Sequence, residues 1–542
     1  MIKGKKFDIF TEIESNLKPN QNQKAIIYQN KDKYESLSYK EFEHYAEVLA
    51  LHLKKQGIKP DDKVVVMIPV SLSLYIVIFS LIKLGVAVVF IDPWIGIKKI
   101  KEVCSICKPK GFIGNIKSSS LRLFSKEFRK IAFKMTISDT NALFLEKINS
   151  LKTDEKVDFR NEYKPDSPMF IRFTTGSSGE PKGVIRTYSY TCKMIDAITD
   201  FFPIKNTDVD ITTFTLNIFY DLIMGATVVI PPMSYKKTKK FDSSKFIDYM
   251  RKCKITTASG SPYFWSGITK KCKEQNITLE KLRFAFTGGG PVSLNLIEQM
   301  KKTLPNAEIK IVYGSTECFP ISWIDVDEIS TELKNQTVKG KGLCLGKIHK
   351  DIKIKIIKPT DKKIKIKEKK DWENILLKKF EIGEIIVTGP HVIKKYWEEK
   401  SILFEKNKIK DMKKNIWHRT GDAGYLDDKN RIWLVGSRTN IFKIKNKNMS
   451  SLMFEYVFDA LDEIEKTAIL KDKKLVLFVQ PKNKKILKDS FKKKKIEKEI
   501  YRICKKKDLP VEEIVFTNRI PLDKRHNTKV DYKKLESIYK SL

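Results

Sequence analysis

A chain of 542 residues, 41% of them hydrophobic, exceeds what one core usually holds, so two or more globular domains are expected and a fibrous or disordered protein is excluded. The formal charge of +39 is nearly all lysine spread along the chain, while arginine, the residue suited to reading phosphates and bases, is scarce, so nucleic acid is not an expected partner. Eight cysteines in so long a chain make no disulfide scaffold, and Met1-Ile2-Lys3-Gly4-Lys5-Lys6 leads into polar residues rather than a secretory signal, so a reducing cytoplasm is the expected location.

Apolar residues recur at helical spacing from Tyr39 to Leu53, and Gly57 stops that helix. The uncharged stretch Val64 to Ile82 is long enough to raise the question of a membrane span. Pro69 interrupts it, Ser71, Ser73 and Ser80 dilute it, and a second apolar run, Val86 to Ile91, follows Lys83 and Gly85. Strand (Val64 to Ile68), helix (Leu72 to Leu84), strand (Val86 to Ile91) explains it better, as a βαβ unit buried on both faces. Cys104 and Cys107 form a C-x-x-C pair with no second pair at zinc spacing, which reads as a structural pair on a helix.

Met169 to Phe173 reads as a strand entering Thr174-Thr175-Gly176-Ser177-Ser178-Gly179-Glu180-Pro181-Lys182-Gly183, and Val184 to Phe202 as the apolar segment leaving it. Glycines let such a loop turn its N–H groups toward an anion, hydroxyls add donors, and Lys182 supplies a mobile positive charge. The loop suits a polyphosphate, although it lacks the Gly-Lys-Ser/Thr ending of a Walker A loop.

Short strands follow, each ending in a turn: Thr227 to Ile230, Ile255 to Ala258, Phe284 to Phe286 and Ile309 to Val312, with helix-like stretches Phe246 to Cys253 and Ser293 to Thr303 between them. This alternation predicts an α/β domain with its ligand at the carboxyl ends of the strands. Beyond Gly340 the runs shorten (Ile352 to Ile357, Glu384 to Val387), with a Lys-rich insertion, Lys358 to Lys370, expected to be a solvated hairpin or loop. Lys443 to Ser451 reads as a linker, and Lys482 to Lys495 as a charged face or loop. The expected architecture is α/β: a large domain, residues 1–436, of mixed and parallel sheets flanked by helices, then a small mobile α+β domain, residues 437–542.

Further motifs appear in order: Leu81-Ile82-Lys83-Leu84-Gly85 to Asp92-Pro93, Gly288-Gly289-Gly290-Pro291-Val292-Ser293, Tyr313-Gly314-Ser315-Thr316-Glu317, Gly383-Glu384-Ile385 to Gly389, Arg419-Thr420-Gly421-Asp422, and Gly436-Ser437-Arg438. With the Thr174 to Gly183 loop, and over nearly the whole chain, they resemble the adenylate-forming superfamily of acyl-CoA synthetases, adenylation domains and luciferases. The resemblance implies that a carboxylate attacks the α-phosphate of ATP to give an acyl-adenylate and pyrophosphate. It implies that Thr174, Thr175, Gly176, Ser177, Ser178, Gly179 and Lys182 hold the outer phosphates. It further implies that Glu317 holds Mg²⁺, that Thr316 contacts the α-phosphate, and that Asp422 accepts two hydrogen bonds from the ribose diol. Gly288, Gly289 and Gly290 would line the adenine slot by close backbone approach and Tyr313 by stacking, Gly314 would also contact the nucleotide, and Arg438 would approach the ribose or phosphate from the domain junction. The catalytic lysine of the last domain would be Lys529, with Thr528 where the superfamily usually has glycine.

Arg525-His526-Asn527-Thr528-Lys529, Ile91 to Gly96, Gly260-Ser261-Pro262 and Trp417 to Asp422 look like the β-lactone synthetases of long-chain olefin biosynthesis. That branch implies a lipid acid whose own β-hydroxyl closes on the activated carbonyl, with His526 and His418 as candidate proton acceptors, and association with other enzymes of a lipid pathway. Acyl-CoA synthetases usually follow the junction arginine with Lys-x-x-Gly; here Thr439-Asn440-Ile441-Phe442-Lys443 follows with no glycine, which weakens CoA as second substrate and leaves Asn440 as the candidate hinge. Phe214, Phe219, Tyr220, Trp265 and Phe319 are candidate walls of an acyl pocket.

Overall fold

The computed structural model describes residues 21–30, 33–91, 96–121, 125–138, 140–151, 164–175, 181–231, 242–397, 406–444, 446–459, 461–472, 474–523 and 529–541. Ser38 starts the first of the described helices, Tyr39–Lys55, through a capping box with Glu41, whose carboxylate accepts from the Ser38 N–H at 2.7 Å. The expected βαβ unit follows as strand Lys63–Met67, helix Leu72–Lys83 and strand Ala87–Ile91. Every residue of that helix from Leu72 to Ile82 is buried, which is why the segment carries no charge. Among the described residues no helix is long and apolar enough to cross a membrane.

These strands belong to a six-stranded sheet in the order Phe133–Ile137, Gly111–Asn115, Lys63–Met67, Ala87–Ile91, Pro168–Thr175, Pro181–Thr187. The last pair is antiparallel with Thr174 opposite Lys182, on either side of the expected phosphate loop; the segment after the loop is a strand and then a helix, Tyr188–Thr199. Helix Ile97–Cys107 covers one face, with Cys104 and Cys107 buried and their thiols pushed up to about 12 and about 11 by burial, which suits inert packing residues.

A fourteen-stranded sheet forms the rest of the large unit. One half is a parallel block in which Glu308–Ser315, Phe284–Gly288, Thr257–Gly260, Val209–Thr212, Thr227–Val229 and Lys24–Asn30 lie side by side. The other half is antiparallel, from Cys318–Asp325 through Leu343–Ile348, Arg431–Ser437, Ile416–Leu426 and Gly383–Thr388 to Lys353–Ile357. The strand expected at Ile255 to Ala258 begins two residues later, because Ile255 is used to close the preceding helix through its N–H to Met250 O.

Two lysine-rich segments differ from the expectation, and a third, Lys482 to Lys495, carries the charged face expected of it. Lys358 to Lys370 does not form a free loop: Thr360 O accepts from Arg438, and helix Lys369–Ile375 begins within it and buries Trp372 edge-on against Trp417. Lys443 to Ser451 is not a linker but half of a hairpin, Ile441–Ile444 against Lys447–Ser450, with Asn446 at φ 64° in its turn. Lys482 to Lys495 contains a short helical turn and the start of helix Ser490–Lys507. Helix Ser451–Phe458, buried throughout, joins the core containing Ile432 and Val435 of the large sheet, and the chain finishes on a three-stranded sheet (Ile464–Lys471, Leu475–Pro481, Glu513–Phe516) with helices Ser490–Lys507 and Tyr532–Lys540.

Candidate active site

The carboxyl ends of strands from both sheets converge on one cavity of about 2740 Å³. The large sheet contributes Thr213 to Asn217, Ser261, Gly288, Gly289 and Gly314 to Glu317; the smaller sheet contributes Met67 to Val70 and Asn115. The glycines are there for a steric reason. A Cβ on Gly288 would lie 2.6 Å from Val312 O, and Gly289 holds φ +80°, which side-chain-bearing residues avoid.

Thr316 and Glu317 sit in the turn between strands Glu308–Ser315 and Cys318–Asp325. Arg186, on the strand leaving the phosphate loop, donates to Thr316 O at 3.0 Å and so ties that turn to the other sheet. Tyr396 donates to Glu317 Oε1 at 3.3 Å, and Glu317 O accepts from the Ile393 N–H, so the carboxylate is braced from the strand-connecting segment. His418 Nε2 lies 3.9 Å from Glu317 Oε2 and is itself buried behind it. This position, away from the cavity wall, does not suit a proton acceptor for a bound substrate.

Asp422, half-buried, also faces the cavity. Its Oδ2 accepts from the Tyr313 hydroxyl at 2.9 Å. Burial pushes its carboxyl above the usual range, while the Lys529 charge and the Tyr313 hydroxyl pull it back. Lys529 therefore acts on Asp422 from the C-terminal segment, and both line the same cavity as Thr316 and Glu317. The lysine's backbone is set by Asp523, whose Oδ1 accepts from Lys529 N–H at 2.9 Å and whose N–H donates to Lys529 O at 2.8 Å.

Three expected residues are placed elsewhere. The Tyr313 ring is buried, 7% exposed, and its hydroxyl is committed to Asp422, so it is not a free stacking face. Gly290 is not among the cavity's lining residues. Arg438 turns away from the cavity: it donates to Asp361 Oδ1 at 2.6 Å and to Thr360 O at 3.0 Å, and lies 3.5 Å from Glu384 Oε1. Gly176, Ser177, Ser178, Gly179 and His526 lie outside the described residues, as do the side chains of Thr174, Thr175 and Lys182.

Of the expected acyl walls, Phe214, Phe219, Tyr220 and Phe319 line the cavity; Trp265 is a core residue whose indole N–H donates to Phe286 O at 3.0 Å. Sequence reasoning missed Arg186, Asp523 and a polar spot in the aromatic wall. There Asn217 lines the cavity with its amide 3.4 Å from Ser259 Oγ, which in turn lies 2.6 Å from Thr212 Oγ1. Only Asn217 carried a positional signal, five residues after the end of strand Val209–Thr212; Arg186 lies within a strand and Asp523 seven residues beyond one.

Glu317 offers a hard carboxylate oxygen to the cavity, and no group of three or more His, Cys, Asp or Glu at metal-binding geometry occurs among the described residues. That donor set fits Mg²⁺, which is held by one or two carboxylates together with substrate phosphates and waters rather than by an all-protein cage.

Comparison with known proteins identifies the family. Residues 13–397 match the family described as AMP-binding enzyme. An olefin beta-lactone synthetase from Xanthomonas campestris pv. campestris is 25% identical over 446 residues, covering 80% of this chain and 78% of its own. 4-Coumarate–CoA ligase 3 from Oryza sativa subsp. japonica is 24% identical over 328 residues, 58% of this chain and 54% of its own. Among solved structures, ATP-bound MatB from Rhodopseudomonas palustris superposes with a TM-score of 0.78 at 16% identity, covering 99% of both chains. Its fold is that of ATP-bound MatB, and with most of its length matching one family the chain belongs to the AMP-binding enzymes and is an adenylate-forming ligase.

Proposed function

We propose that this ligase activates a β-hydroxy lipid acid as its acyl-adenylate and closes it to a β-lactone. The observation that carries the adenylation step is the meeting of Lys529, Asp422, Thr316 and Glu317 on one cavity, although they come from three distant parts of the chain. Lys529 is the cation that bonds the attacking carboxylate and the α-phosphate oxygens. Asp422, oriented by Tyr313, takes the ribose hydroxyls, and Thr316 meets the α-phosphate. The Thr174 to Lys182 segment supplies donors to the departing pyrophosphate, where charge builds up as the bond breaks. Glu317, braced by Tyr396, would hold Mg²⁺, which supplies charge neutralisation at the phosphates. Residues 437–542 are the smaller unit that presents Lys529.

The second step needs no further substrate: the β-hydroxyl oxygen attacks the acyl carbonyl, the bond to the phosphate oxygen breaks, and AMP and one proton leave. Intramolecular attack from a fixed pose is worth on the order of 7 kcal/mol or more, which offsets ring strain. Two features favour this product over a thioester. Asn217, backed by Ser259 and Thr212, gives the aromatic chamber of Phe214 and Phe219 a polar spot suited to a hydroxyl. The stretch after Arg438 also lacks the Lys-x-x-Gly pattern of acyl-CoA synthetases. The olefin beta-lactone synthetases aligned over 80% of the chain support the same reading.

Thioester formation with CoA is the second reading, favoured by the 4-coumarate–CoA ligase similarity. A panel of β-hydroxy and plain fatty acids, with and without CoA, separates the two. The proposal expects AMP and lactone from the hydroxy acids without CoA; thioester appearing only on CoA addition would replace it with the second reading.

A further inference from the structure

Between Lys482 and Lys507 the chain carries twelve lysines and one arginine against three acids, a net charge of +10 over 26 residues. A stretch of that length carries about +2 on average in this chain, so the general lysine bias does not account for it. Most of this charge lies on helix Ser490–Lys507, which buries Ile496, Ile500 and Cys504. At 100° per residue, Phe491, Lys494, Lys495, Lys498, Tyr501 and Arg502 fall on the opposite face, and Lys505 continues the row. All seven are exposed. The one acid at the edge of this face, Glu499, is taken up by Arg502 at 2.6 Å.

Helix stability explains only part of the row. Lys505 to Lys507 sit in the last turn, where positive charge is favourable, and Lys507 also donates to Val338 O at 2.8 Å. Lys492 and Lys493 occupy the first turn, where the same charge opposes the helix dipole, with Asp489 3.5 Å from Lys492 Nζ. Phe491 is 79% exposed beside them and Tyr501 45% exposed nearly three turns on. The first-turn lysines and the bare aromatics are both unfavourable for the isolated molecule.

We propose that this face is a docking surface for an anionic lipid bilayer, with the lysine row at the headgroups and Phe491 entering the interface. Charge complementarity fixes the sign of the partner. An aromatic side chain on a straight basic row fits a bilayer, where it gains by burial at the acyl boundary. A duplex groove would be read by arginine, which this face carries once. Docking would bring the ligase to the phase in which lipid acids reside.

The test is flotation of the full-length protein with vesicles of phosphatidylcholine containing 30% phosphatidylglycerol, alongside pure phosphatidylcholine vesicles. Binding is expected to the anionic vesicles only and to be lost in half-molar salt. Replacing Lys494, Lys495, Lys498 and Lys505 together by Glu should lower the partition coefficient by about a hundredfold or more, and Phe491→Ser by about tenfold. The same four-fold reversal at Lys365, Lys367, Lys369 and Lys370 should cost far less, and pyrophosphate exchange with a soluble short-chain acid should stay unchanged in all three variants. Equal flotation with neutral vesicles, equal losses from both lysine sets, or retention on DNA with no vesicle binding would each overturn the proposal.

Discussion

Glu455 offers a sharp quantitative test of how the Lys529 segment is held. It lies on helix Ser451–Phe458, inside the core shared with the large sheet, and accepts the Tyr532 hydroxyl at 2.5 Å. Tyr532 opens the last helix, three residues after Lys529, so this contact clamps the segment that presents the lysine. Burial pushes the Glu455 carboxyl from 4.5 up to about 7, with Lys466 and Tyr532 pulling it down and Asp459 adding to the rise. A group that keeps its proton more tightly when folded binds more protons folded than unfolded between pH 4.5 and 7. Stability therefore falls as pH rises through that window, and the loss is complete by about pH 8. The distance between the two values corresponds to roughly 3 kcal/mol. Glu455→Gln keeps an acceptor for Tyr532 and cannot ionise. Urea melts of both proteins at pH 5, 6, 7 and 8, with hydrogen exchange at helix Tyr532–Lys540 as a local readout, should show near-equal stability at pH 5 and the Gln variant ahead by up to about 3 kcal/mol at pH 8. A difference that does not vary with pH, or a Gln variant weaker at pH 8, would refute the reasoning.

Three further changes probe the site directly. Lys529→Ala should lower carboxylate-dependent pyrophosphate exchange by about 10²–10³-fold, the usual loss for one preorganised donor, while equilibrium ATP binding changes by only a few-fold. Tyr313→Phe removes the 2.9 Å bond that orients Asp422 and should cost about 1.5 kcal/mol, seen as a roughly tenfold higher KM for ATP with kcat little altered. Asn217→Leu should shift the ratio of kcat/KM for β-hydroxy over plain acids toward the plain acid by about tenfold or more, because the polar spot is then lost to the hydroxyl; an unchanged ratio would remove Asn217 from the pocket's recognition.

The fold was largely legible because buried parallel strands leave continuous apolar runs punctuated by turn residues. Val64 to Ile91 is the clearest case: helix Leu72–Lys83 is covered on all sides, so it shows no polar stripe at all. The hairpin Ile441–Ile444 with Lys447–Ser450 was misread because its lysines and asparagines mask the alternation, although Asn446 in the turn was a usable sign. Site residues were found where they sit in the turns themselves, as with Thr316, Glu317, Gly288 and Gly289. What stayed hidden were contacts set by sheet order: Tyr313 to Asp422 spans 109 residues and Arg186 to Thr316 spans 130. Periodicity says which face a side chain occupies and nothing about which strand lies opposite.

The position of Arg438 bears on the choice between the two products. In this arrangement Lys529 already faces Asp422 across the cavity, and Arg438, at the start of the C-terminal segment, is held by Asp361, Thr360 O and Glu384. Asp361 is almost fully exposed, so its bond to Arg438 is worth little by itself, and the buried Glu384 contributes more to fixing the guanidinium, though it is shared with Arg419. A thioester-forming enzyme must admit a second, long substrate to the adenylate, which calls for the Lys529 segment to withdraw and a new surface to take its place. A lactone-forming enzyme has its nucleophile already inside the cavity on the same acyl chain. For it the Lys529 arrangement can serve both half-reactions, and the stretch after Arg438 has no pantetheine passage to shape. Under the proposed lactone closure, the absence of glycine there, the anchoring of Arg438 away from the cavity, and the polar spot at Asn217 share one chemical reason.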